Sequence, residues 1–285
     1  MNPRDILVGA AFAGAIAFAA WRARALTRGG AVAAFVVGML TYAGGTVGFT
    51  LVLLAFFVPS VLLSRLGRGR KRALIDIGKH GARDAVQVLA NGGIATVCAA
   101  GWAITHDLHW AAAFAGAYAA ATADTWATEI GTLSRYRPRS IFTLRPVATG
   151  LSGGITLPGT LAEIAGALWI GIAGLAGIVI ANTVGPAGFA LAWHPAVPAP
   201  LVYGVPALTL LAIPLGGVAG ATLDSVLGGS VQELRRCDAC EHTCETDPHA
   251  CGNPTRLVRG VRGFSNDLVN LLATATGAAV AFALV

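Results

Sequence analysis

Long apolar stretches, separated by short polar segments, follow one another along nearly the whole chain. A stretch of about 17–25 mainly apolar residues can cross a bilayer as an α-helix. The pattern predicts an all-α, polytopic integral membrane bundle of about eight transmembrane helices. Gly30–Ser64 fits either one long kinked helix or two spans, and we place a break at Gly44–Gly45. The predicted spans are Asp5–Ala20, Gly30–Ala43, Val47–Ser64, Ala85–Ile104, Trp110–Ile130, Gly159–Ala181, Leu201–Gly228 and Asp267–Val285.

Composition agrees with a chain that is embedded in lipid. Hydrophobic residues make up 55% of the 285 residues, and charged residues make up 12%. A soluble domain carries about 25% charged residues. The 37 glycines fit the same class, because small residues let membrane helices approach closely. No polar linker divides the sequence, so residues 1–285 are predicted to form a single transmembrane domain.

Basic residues fall in alternate connections between the predicted spans. The net charge of +6 is explained by the enrichment of Lys and Arg in cytoplasmic loops, and no aromatic-interleaved basic stripe points to a nucleic-acid partner. With eight spans all four basic loops share one side, so both termini are predicted outside the cytoplasm of a multi-pass cell (inner) membrane protein. The basic loops are Arg22–Arg28, Arg65–Arg83 (with Arg68, Arg70, Lys71, Arg72 and Lys79), Arg135–Arg145 and Arg235–Arg262, whereas Thr105–His109 and Asn182–Pro200 contain neither Lys nor Arg.

Polar side chains recur at the predicted cytoplasmic ends of the later spans. Ionisable residues inside membrane spans are costly and mark functional sites by default. Asparagine stripes also serve as interhelical glue, and glycine-rich segments also make turns. The candidate residues are Arg83, Asp84, Gln87 and Asn91; Asp124 and Glu129; Arg145, Ser152, Gly153 and Gly154; Asp224 and Gln232; and Asn266, Asp267 and Asn270.

The candidate residues are the types that bind metal and phosphate. Carboxylates are hard ligands suited to Mg²⁺, which commonly takes one or two of them together with substrate phosphates. We expect Asp124, Glu129 and Asp224 to hold Mg²⁺, with Asp267 as a weaker fourth. A glycine-rich segment that leads into a helix, such as Gly150–Thr156, can point backbone N–H groups at phosphate. Glu163 stands alone, and a helix-dipole or packing role explains it as well as chemistry does.

Four of the five cysteines fall within residues 233–263, a predicted cytoplasmic loop between the last two helices. The Cys-x₂-Cys spacing with a later His and Cys is typical of structural zinc sites, and disulfides are disfavoured in the reducing cytosol. Free or redox-active thiols are the alternative. Cys237, Cys240 and Cys251 are the first three predicted ligands. The fourth stays open among His249, Cys244 and His242, with His249 as the working assignment.

Several motifs together resemble a known membrane family, the one that contains plant phytyl-phosphate kinase. They are Asn91-Gly92-Gly93, Ala123-Asp124-Thr125-Trp126-Ala127-Thr128-Glu129-Ile130-Gly131, Leu223-Asp224-Ser225-Val226-Leu227-Gly228 and Asn266-Asp267-Leu268-Val269-Asn270. The likeness runs from Thr27 to the last helix. A shorter segment around Asp124 is similar to one in CTP-dependent phytol and dolichol kinases. The cysteine loop is similar to one in prokaryotic members that animal members lack, so the resemblance does not make zinc essential. Ser152-Gly153-Gly154 stands where the family pattern leads us to expect Asn-Gly-Gly.

The resemblance implies a kinase that transfers a phosphoryl group from a nucleoside triphosphate, CTP in the first place, to a prenyl monophosphate such as phytyl phosphate. Such transfer depends mainly on positioning and charge neutralisation. Arg83, Arg145 and the Gly150–Thr156 segment would then grip phosphate oxygens, while Asn91, Asn266 and Asn270 would orient phosphates or metal-bound water. Two other interpretations of the function stay open: a transporter of an anionic or lipid substrate, and a lipid-phosphate nucleotidyltransferase. The lipid chain, the donor and the oligomeric state are left open.

Overall fold

A computed structural model describes residues 3–67, 69, 81–183 and 207–285. The predicted helical membrane class is confirmed. The connection Asn182–Pro200, the first residues of the span from Leu201, and most of the basic loop Arg65–Arg83 lie wholly or largely outside the described residues. The described elements are helices α1 (Pro3–Arg22), α2 (Arg28–Arg65), α3 (Ala85–Thr105), α4 (Leu108–Gly131), α5 (Leu157–Thr183), α6 (Ala207–Ser230) and α7 (Asn266–Ala283), and strands β1 (Arg139–Ser140), β2 (Gly154–Ile155), β3 (Leu234–Cys237), β4 (Thr243–Cys244) and β5 (Thr255–Arg259).

Helix α2 consists of two arms that fold back on each other. Its 38 residues would extend about 57 Å if straight, about twice the thickness of the hydrocarbon core. The backbone leaves the helical region at Thr46, with φ 52° and ψ −140°. The two arms then return to the same level, since Arg65 Nη2 donates to Ala23 O (2.9 Å), close to the start of the first arm. The break follows directly after the predicted Gly44–Gly45, and it divides the described helices into eight segments.

Helix α4 is the central helix of the bundle. Every residue from Ala112 to Ala123 is buried, and α4 contacts α2, α3, α5, α6 and α7. Five described helices are long and apolar enough to cross a membrane, namely α1, α2, α3, α5 and α6. Helices α4 and α7 fall outside that set, and α4 is shielded by its neighbours. The number of membrane crossings and the side on which the termini lie stay predictions.

Glycines let α4, α6 and α7 meet at backbone distance. A Cβ placed on Gly277 of α7 would lie 2.5 Å from Gly116 O of α4, and one on Gly216 of α6 would lie 2.5 Å from Gly277 O. Real Cβ atoms do not approach carbonyl oxygens so closely. These positions therefore require glycine, as expected where small residues set the packing of membrane helices.

The described parts of the four predicted basic loops lie at one end of the bundle, which we call the polar end. Arg83 N donates to Ala25 O and Thr27 N donates to Arg83 O, both at 3.0 Å, so the first two loops meet. A Cβ placed on Gly67 would lie 2.6 Å from Leu133 Cδ2, which joins the second loop to the third. Gln232 Nε2 donates to Ser152 Oγ (3.1 Å) and connects the third to the fourth. The turn at His106 between α3 and α4 lies at the opposite end.

The cysteine loop is more ordered than the sequence indicated. It forms a three-stranded antiparallel sheet in the order β4–β3–β5, with Arg235 paired to Cys244 on one side and to Leu257 on the other. The Arg235 guanidinium is buried and forms ion pairs with Glu233 (2.9 Å) and Asp247 (2.7 Å). The three strands are an addition to the predicted all-helical picture, because short polar strands carry too little periodicity to be recognised.

The glycine contact at Gly277 gives a direct test of this packing. Gly277→Ala should lower the unfolding temperature of the purified protein in detergent, because overpacking a tight core contact costs about 1–3 kcal/mol. Gly93→Ala is the matched control, since no described atom lies within 4 Å of a Cβ at that position and alanine favours the helix by about 1 kcal/mol. A Gly277→Ala protein as stable as the control would contradict the close approach.

Candidate functional site

Helices α4 and α6 bring Asp124 and Asp224 to the same level. Both helices run toward the polar end, and they touch where a Cβ placed on Gly220 would lie 2.5 Å from Ala120 Cβ. Each aspartate follows its contact residue by four positions, about one helical turn. Asp224 accordingly lies in the electrostatic field of Asp124. The structure thus brings together the two carboxylates that the sequence placed on separate spans.

Glu163 of α5 joins these aspartates. Helix α5 packs on α4 where a Cβ on Gly166 would lie 3.2 Å from Ala123 Cα, and Glu163 lies about one turn nearer the polar end. The residue is 9% exposed, and its carboxylate accepts a hydrogen bond from Thr222 Oγ1 (3.3 Å). Both aspartates interact electrostatically with Glu163. In the sequence this residue had no visible partner, and only the helix packing reveals one.

Glu129 lies at the border between the carboxylates and the basic residues. It is half-buried near the end of α4, and it interacts electrostatically with Asp124 and with the guanidinium of Arg83. The 124–129 motif thus faces the acidic cluster and the arginine together.

Glu245 is a further carboxylate of the cluster, and no motif in the sequence selects it. It follows β4 in the cysteine loop, and its Oε2 accepts a hydrogen bond from Gln232 Nε2 (2.7 Å) while its Oε1 accepts one from Ser152 N (3.4 Å). Burial raises the pKa of Glu245, and the bonds from Ser152 and Gln232 partly oppose that rise. Asp224 lies in its electrostatic field. The only sequence signal was its position next to Cys244.

The acidic cluster fits a hard cation. Asp124, Glu163, Asp224 and Glu245 share one electrostatic environment, and like charges that are buried together destabilise one another unless protons or cations compensate them. Among the described residues, none forms a hydrogen bond with the buried Oδ2 of Asp224. Oxygen donors in this arrangement match the preference of Mg²⁺, so the residues present fit the predicted ion.

The candidate residues at the start of α3, Asp84, Gln87 and Asn91, make two kinds of contact. Asp84 and Gln87 form a capping box, in which Asp84 Oδ1 accepts from Gln87 N (2.9 Å) and Gln87 Oε1 accepts from Asp84 N (3.1 Å). This stabilises the start of the helix. Asn91 donates to Gln87 O (2.9 Å), and both amides line a cavity that also contacts Arg83. Binding by these residues stays a prediction, and Asp84 has a clear structural role.

Helix α7 carries the polar residues Asn266, Asp267, Asn270 and Thr274, and it contacts α3 through Thr274. Thr274 is buried, and its hydroxyl donates to Ala90 O (3.1 Å), next to Asn91. Asn270 is half-buried one turn nearer the polar end, Asp267 is buried, and Asn266 is exposed. Asp267 and Asn270 therefore lie on the part of α7 that packs in the bundle, whereas the exposed Asn266 begins the helix.

The glycine-rich loop packs against the end of α6. Gly153 has a φ of +81°, and a Cβ there would lie 2.6 Å from Gly229 N, so glycine is required. Ser152 N donates to Glu245, and Gly154 N donates to Leu151 O (3.0 Å). Two of the N–H groups expected at phosphate are thus engaged within the protein. Arg145 is exposed in the turn between β1 and β2, and no described contact brings it to the carboxylates.

Arg259 is a second residue that the sequence did not single out. Its Nη2 donates to Gly228 O at the end of α6 (2.9 Å), and its charge interacts with Glu245. The adjacent Gly260 has a φ of +84° and packs against the backbone carbonyl of Gln232. This close approach holds β5, and with it a guanidinium, at the edge of the acidic cluster.

The cysteine loop contains a four-residue cluster that can hold a metal ion such as zinc. The ligand atoms of Cys237, Cys240, His249 and Cys251 lie within 4.8 Å of one another. Cys251 Sγ is 3.6 Å from Cys237 Sγ, 3.8 Å from Cys240 Sγ and 3.0 Å from His249 Nδ1. Tetrahedral zinc with Zn–S bonds of about 2.3 Å separates its sulfur ligands by about 3.8 Å. The hydrogen bond with His249 lowers the pKa of the Cys251 thiol to about 6, which favours the metal-binding thiolate. Of the three candidates for the fourth ligand, the geometry selects His249.

Comparison with known proteins shows to which family the chain belongs. A profile described as "Integral membrane protein DUF92" matches residues 11–278. The chain belongs to this family. It is 31% identical over 236 residues to Protein PGR of Arabidopsis thaliana, covering 76% of this chain and 75% of that protein. An uncharacterized membrane protein of Methanocaldococcus jannaschii is 35% identical over 155 residues, 54% of this chain and 63% of its own length. One from Synechocystis is 31% identical over 146 residues, 50% of this chain and 56% of its own. No solved structure matches the chain.

The family assignment confirms the resemblance drawn from the motifs. The matched range includes Arg83, Asp124, Asp224 and the whole cysteine loop, so these features lie inside the family's own region. The names of the relatives state that they are membrane proteins or give no activity. The chemistry of the site therefore has to be argued from the residues.

Metal content tests the cysteine cluster. The purified protein should contain about one zinc per chain by elemental analysis, and Cys251→Ser should lose it because a closed structural site needs all four ligands. Cys244→Ser is the matched control, since this buried thiol lies in the same loop and outside the cluster. Metal lost from the Cys244→Ser protein and retained by Cys251→Ser would overturn the ligand assignment.

Proposed function

We propose that this protein is a membrane kinase that transfers the terminal phosphoryl group of a nucleoside triphosphate, CTP in the first place, to a prenyl monophosphate such as phytyl phosphate. The observation that carries the proposal is the carboxylate cluster of Asp124, Glu163, Asp224 and Glu245, beside Glu129 and Arg83, at one end of a lipid-embedded bundle. Acids that gather cations and an arginine that binds anions are the two requirements of phosphoryl transfer between two phosphorylated molecules.

The reaction balances without a strong base. An oxygen of the lipid monophosphate attacks the γ-phosphorus, a new P–O bond forms, and the bond from that phosphorus to the β-bridging oxygen breaks. Lipid diphosphate and nucleoside diphosphate are the products. Because the attacking phosphate is already anionic near neutral pH, the protein's main task is to hold two anionic groups close together and in line.

Each part of this task is assigned to particular residues. Asp124, Glu129 and Asp224 would hold Mg²⁺, with Asp267 nearby on α7, and the ion would neutralise charge on the nucleotide phosphates. Arg83 would bind the lipid phosphate, and Asn91 and Asn270 would orient it from α3 and α7. Glu163 and Glu245 increase the negative potential that retains a cation, and Arg259 offers a second guanidinium at the edge of the cluster. Arg145, Ser152, Gly153, Gly154 and Asn266 stay as outer candidates for phosphate binding.

The polar end is proposed to face the cytoplasm of the cell (inner) membrane. Supporting this, the described parts of all four basic loops lie at that end, and basic residues are enriched on the cytoplasmic side. Nucleoside triphosphates are available there. The prenyl chain of the other substrate would remain in or next to the bilayer.

The cysteine cluster is proposed to bind structural zinc, and its proposed role is to position Glu245. The sheet β4–β3–β5 carries Glu245 directly after Cys244, and the hydrogen bonds from Gln232 and Ser152 hold its carboxylate against the transmembrane site. A closed zinc site would fix the loop that carries these contacts. The ion would thus act on the position of a side chain and take no part in the chemical step.

The activity is tested by product analysis on purified protein. With Mg²⁺, each nucleoside triphosphate in turn and phytyl or geranylgeranyl monophosphate, we expect lipid diphosphate and nucleoside diphosphate by mass spectrometry. Asp124→Asn should reduce turnover by about 10²–10³-fold, the range for losing one preorganised electrostatic group. Asp238→Asn is the matched control, because that aspartate is 67% exposed in the cysteine loop.

Other outcomes of that assay contradict the proposal in distinct ways. Nucleotidyl lipid together with pyrophosphate would identify a nucleotidyltransferase at the same carboxylates. No product from folded protein with any donor or prenyl chain would favour a transporter, although transporter sites lie near the bilayer midplane and these carboxylates gather at one end. Full activity in a folded Asp124→Asn protein would remove this residue from the mechanism.

Glu245 gives an independent prediction for the cysteine loop. Glu245→Gln should lower kcat by about 10–100-fold, the typical effect of losing an outer-shell partner of a metal site, while the zinc content stays unchanged. Glu241→Gln is the matched control, because its side chain is 82% exposed in the same loop. Zinc-depleted protein should show the same kcat loss. Wild-type turnover in Glu245→Gln would show that the loop does not serve the site.

A further inference from the structure

A long apolar cavity lies between α1 and the two arms of α2. It is partly open to the outside. Most of its wall is aliphatic or aromatic, including Phe12, Ile16, Val37, Leu53 and Phe57. Helix packing around α4 is close enough to require glycine, whereas the helices beside α1 leave an apolar space that a ligand can enter.

The cavity follows the helices lengthwise. Its lining on α1 extends from Gly9 to Ala20, a rise of about 16 Å along the helix. On the first arm of α2 it extends from Ala34 to Tyr42. The end away from Arg83, which we call the deep end, is lined by Tyr42 and Gly9, which are in contact, since a Cβ on Gly9 would lie 3.0 Å from Tyr42 Cβ. The shape therefore suits an extended chain.

The other end of the cavity is polar. Arg83, Gln87 and Asn91 line it there, at the level of the carboxylate site. The Arg83 guanidinium lies 6.0 Å from the centroid of the Phe56 ring, and it makes no hydrogen bond or ion pair with any residue in the described ranges. An arginine that is held by an aromatic ring and keeps its donors available is ready to bind an anion.

We propose that this cavity binds the prenyl chain of the lipid monophosphate, with the phosphate at Arg83 and the chain extending toward Tyr42. The inference rests on the proposed function and extends it, because it assigns the acceptor to one side of the site and sets a limit on its length. An amphiphile with one anionic end matches a cavity with one cationic end and apolar walls. The cavity also separates the lipid from the nucleotide, which the carboxylates bind on the far side of Arg83.

Direct labelling tests the binding site without requiring turnover. A geranylgeranyl monophosphate that carries a diazirine at the end of its chain should crosslink to residues near the deep end, on α1 or on the first arm of α2, as mapped by mass spectrometry of the digested protein. Excess unlabelled geranylgeranyl monophosphate should compete. Competition by phosphatidylglycerol to the same extent would assign the cavity to bilayer lipid, and labels confined to the outer faces of the bundle would overturn the proposal.

Filling the cavity tests its role in substrate choice. Ala34 follows Gly30 by four residues, and Gly30 packs against the backbone of Arg83, so a large side chain at position 34 would block the cavity about 6 Å beyond the arginine. Ala34→Trp should reduce kcat/KM for geranylgeranyl monophosphate, relative to dimethylallyl monophosphate, by at least about tenfold. Val32→Trp is the matched control on the same helix, because Val32 is 65% exposed.

The outcomes separate this inference from the kinase activity. An active protein whose chain-length preference is unchanged by Ala34→Trp, and whose label lies elsewhere, would refute the cavity and leave the kinase in place. Labelling in the cavity of a protein without kinase activity would support the lipid site and refute the proposed reaction. If Ala34→Trp unfolds, crosslinking to the wild-type protein still decides.

Discussion

The site depends on the backbone-distance packing of helices around α4. Where a helix side is built from Ala and Gly, its neighbours can approach until backbone atoms touch, and in lipid such packing is a main source of helix association. Ala120 against Gly220, Ala123 against Gly166 and Gly116 against Gly277 fix the register of four helices. Asp124, Asp224 and Glu163 each lie about one turn beyond one of these contacts. A larger side chain at any contact would separate the acids as well as the helices.

The same close packing brings several negatively charged side chains together, and their mutual repulsion favours the binding of a cation. Several buried or half-buried carboxylates are brought together, and their repulsion falls only when a cation or a proton is bound. A site of this kind has high affinity for a divalent ion for the same reason that it is costly when empty. The tight helix contacts supply the free energy that holds the acids in place. The proposed cation binding would therefore be coupled to the stability of the bundle through the same few residues.

Much of the membrane architecture could be predicted from the sequence, because span length and charge alternation are local properties. The break in α2 falls at Thr46, next to the predicted Gly44–Gly45, since glycines permit the sharp change of direction. Asp124 and Asp224 were recognisable because acids are rare in apolar spans. Glu163 is recognisable as an acid in an apolar span, but its role cannot be assigned from the sequence, because its partners come from α4 and α6. The sequence pattern places Asp84 among the binding residues, whereas its capping role depends on where α3 begins.

Glu245 could not be predicted for a different physical reason. It lies in a polar loop where a carboxylate is common, and it becomes part of the site only because the sheet β4–β3–β5 turns that loop back onto Gln232 and Ser152. The register of three short strands, the buried Arg235 and the ligand cluster at Cys251 together decide that direction. None of these is visible as a hydrophobic pattern.

Glu129 connects the two halves of the site. It interacts with Asp124, which belongs to the proposed nucleotide side, and with Arg83, which lies at the mouth of the apolar cavity. A phosphate at Arg83 would place a second negative charge near the guanidinium, and a cation at Asp124 would attract Glu129. With both substrates bound, the cation would add positive charge near Glu129 and the phosphate would add negative charge near Arg83, so electrostatics would favour the state in which both are present.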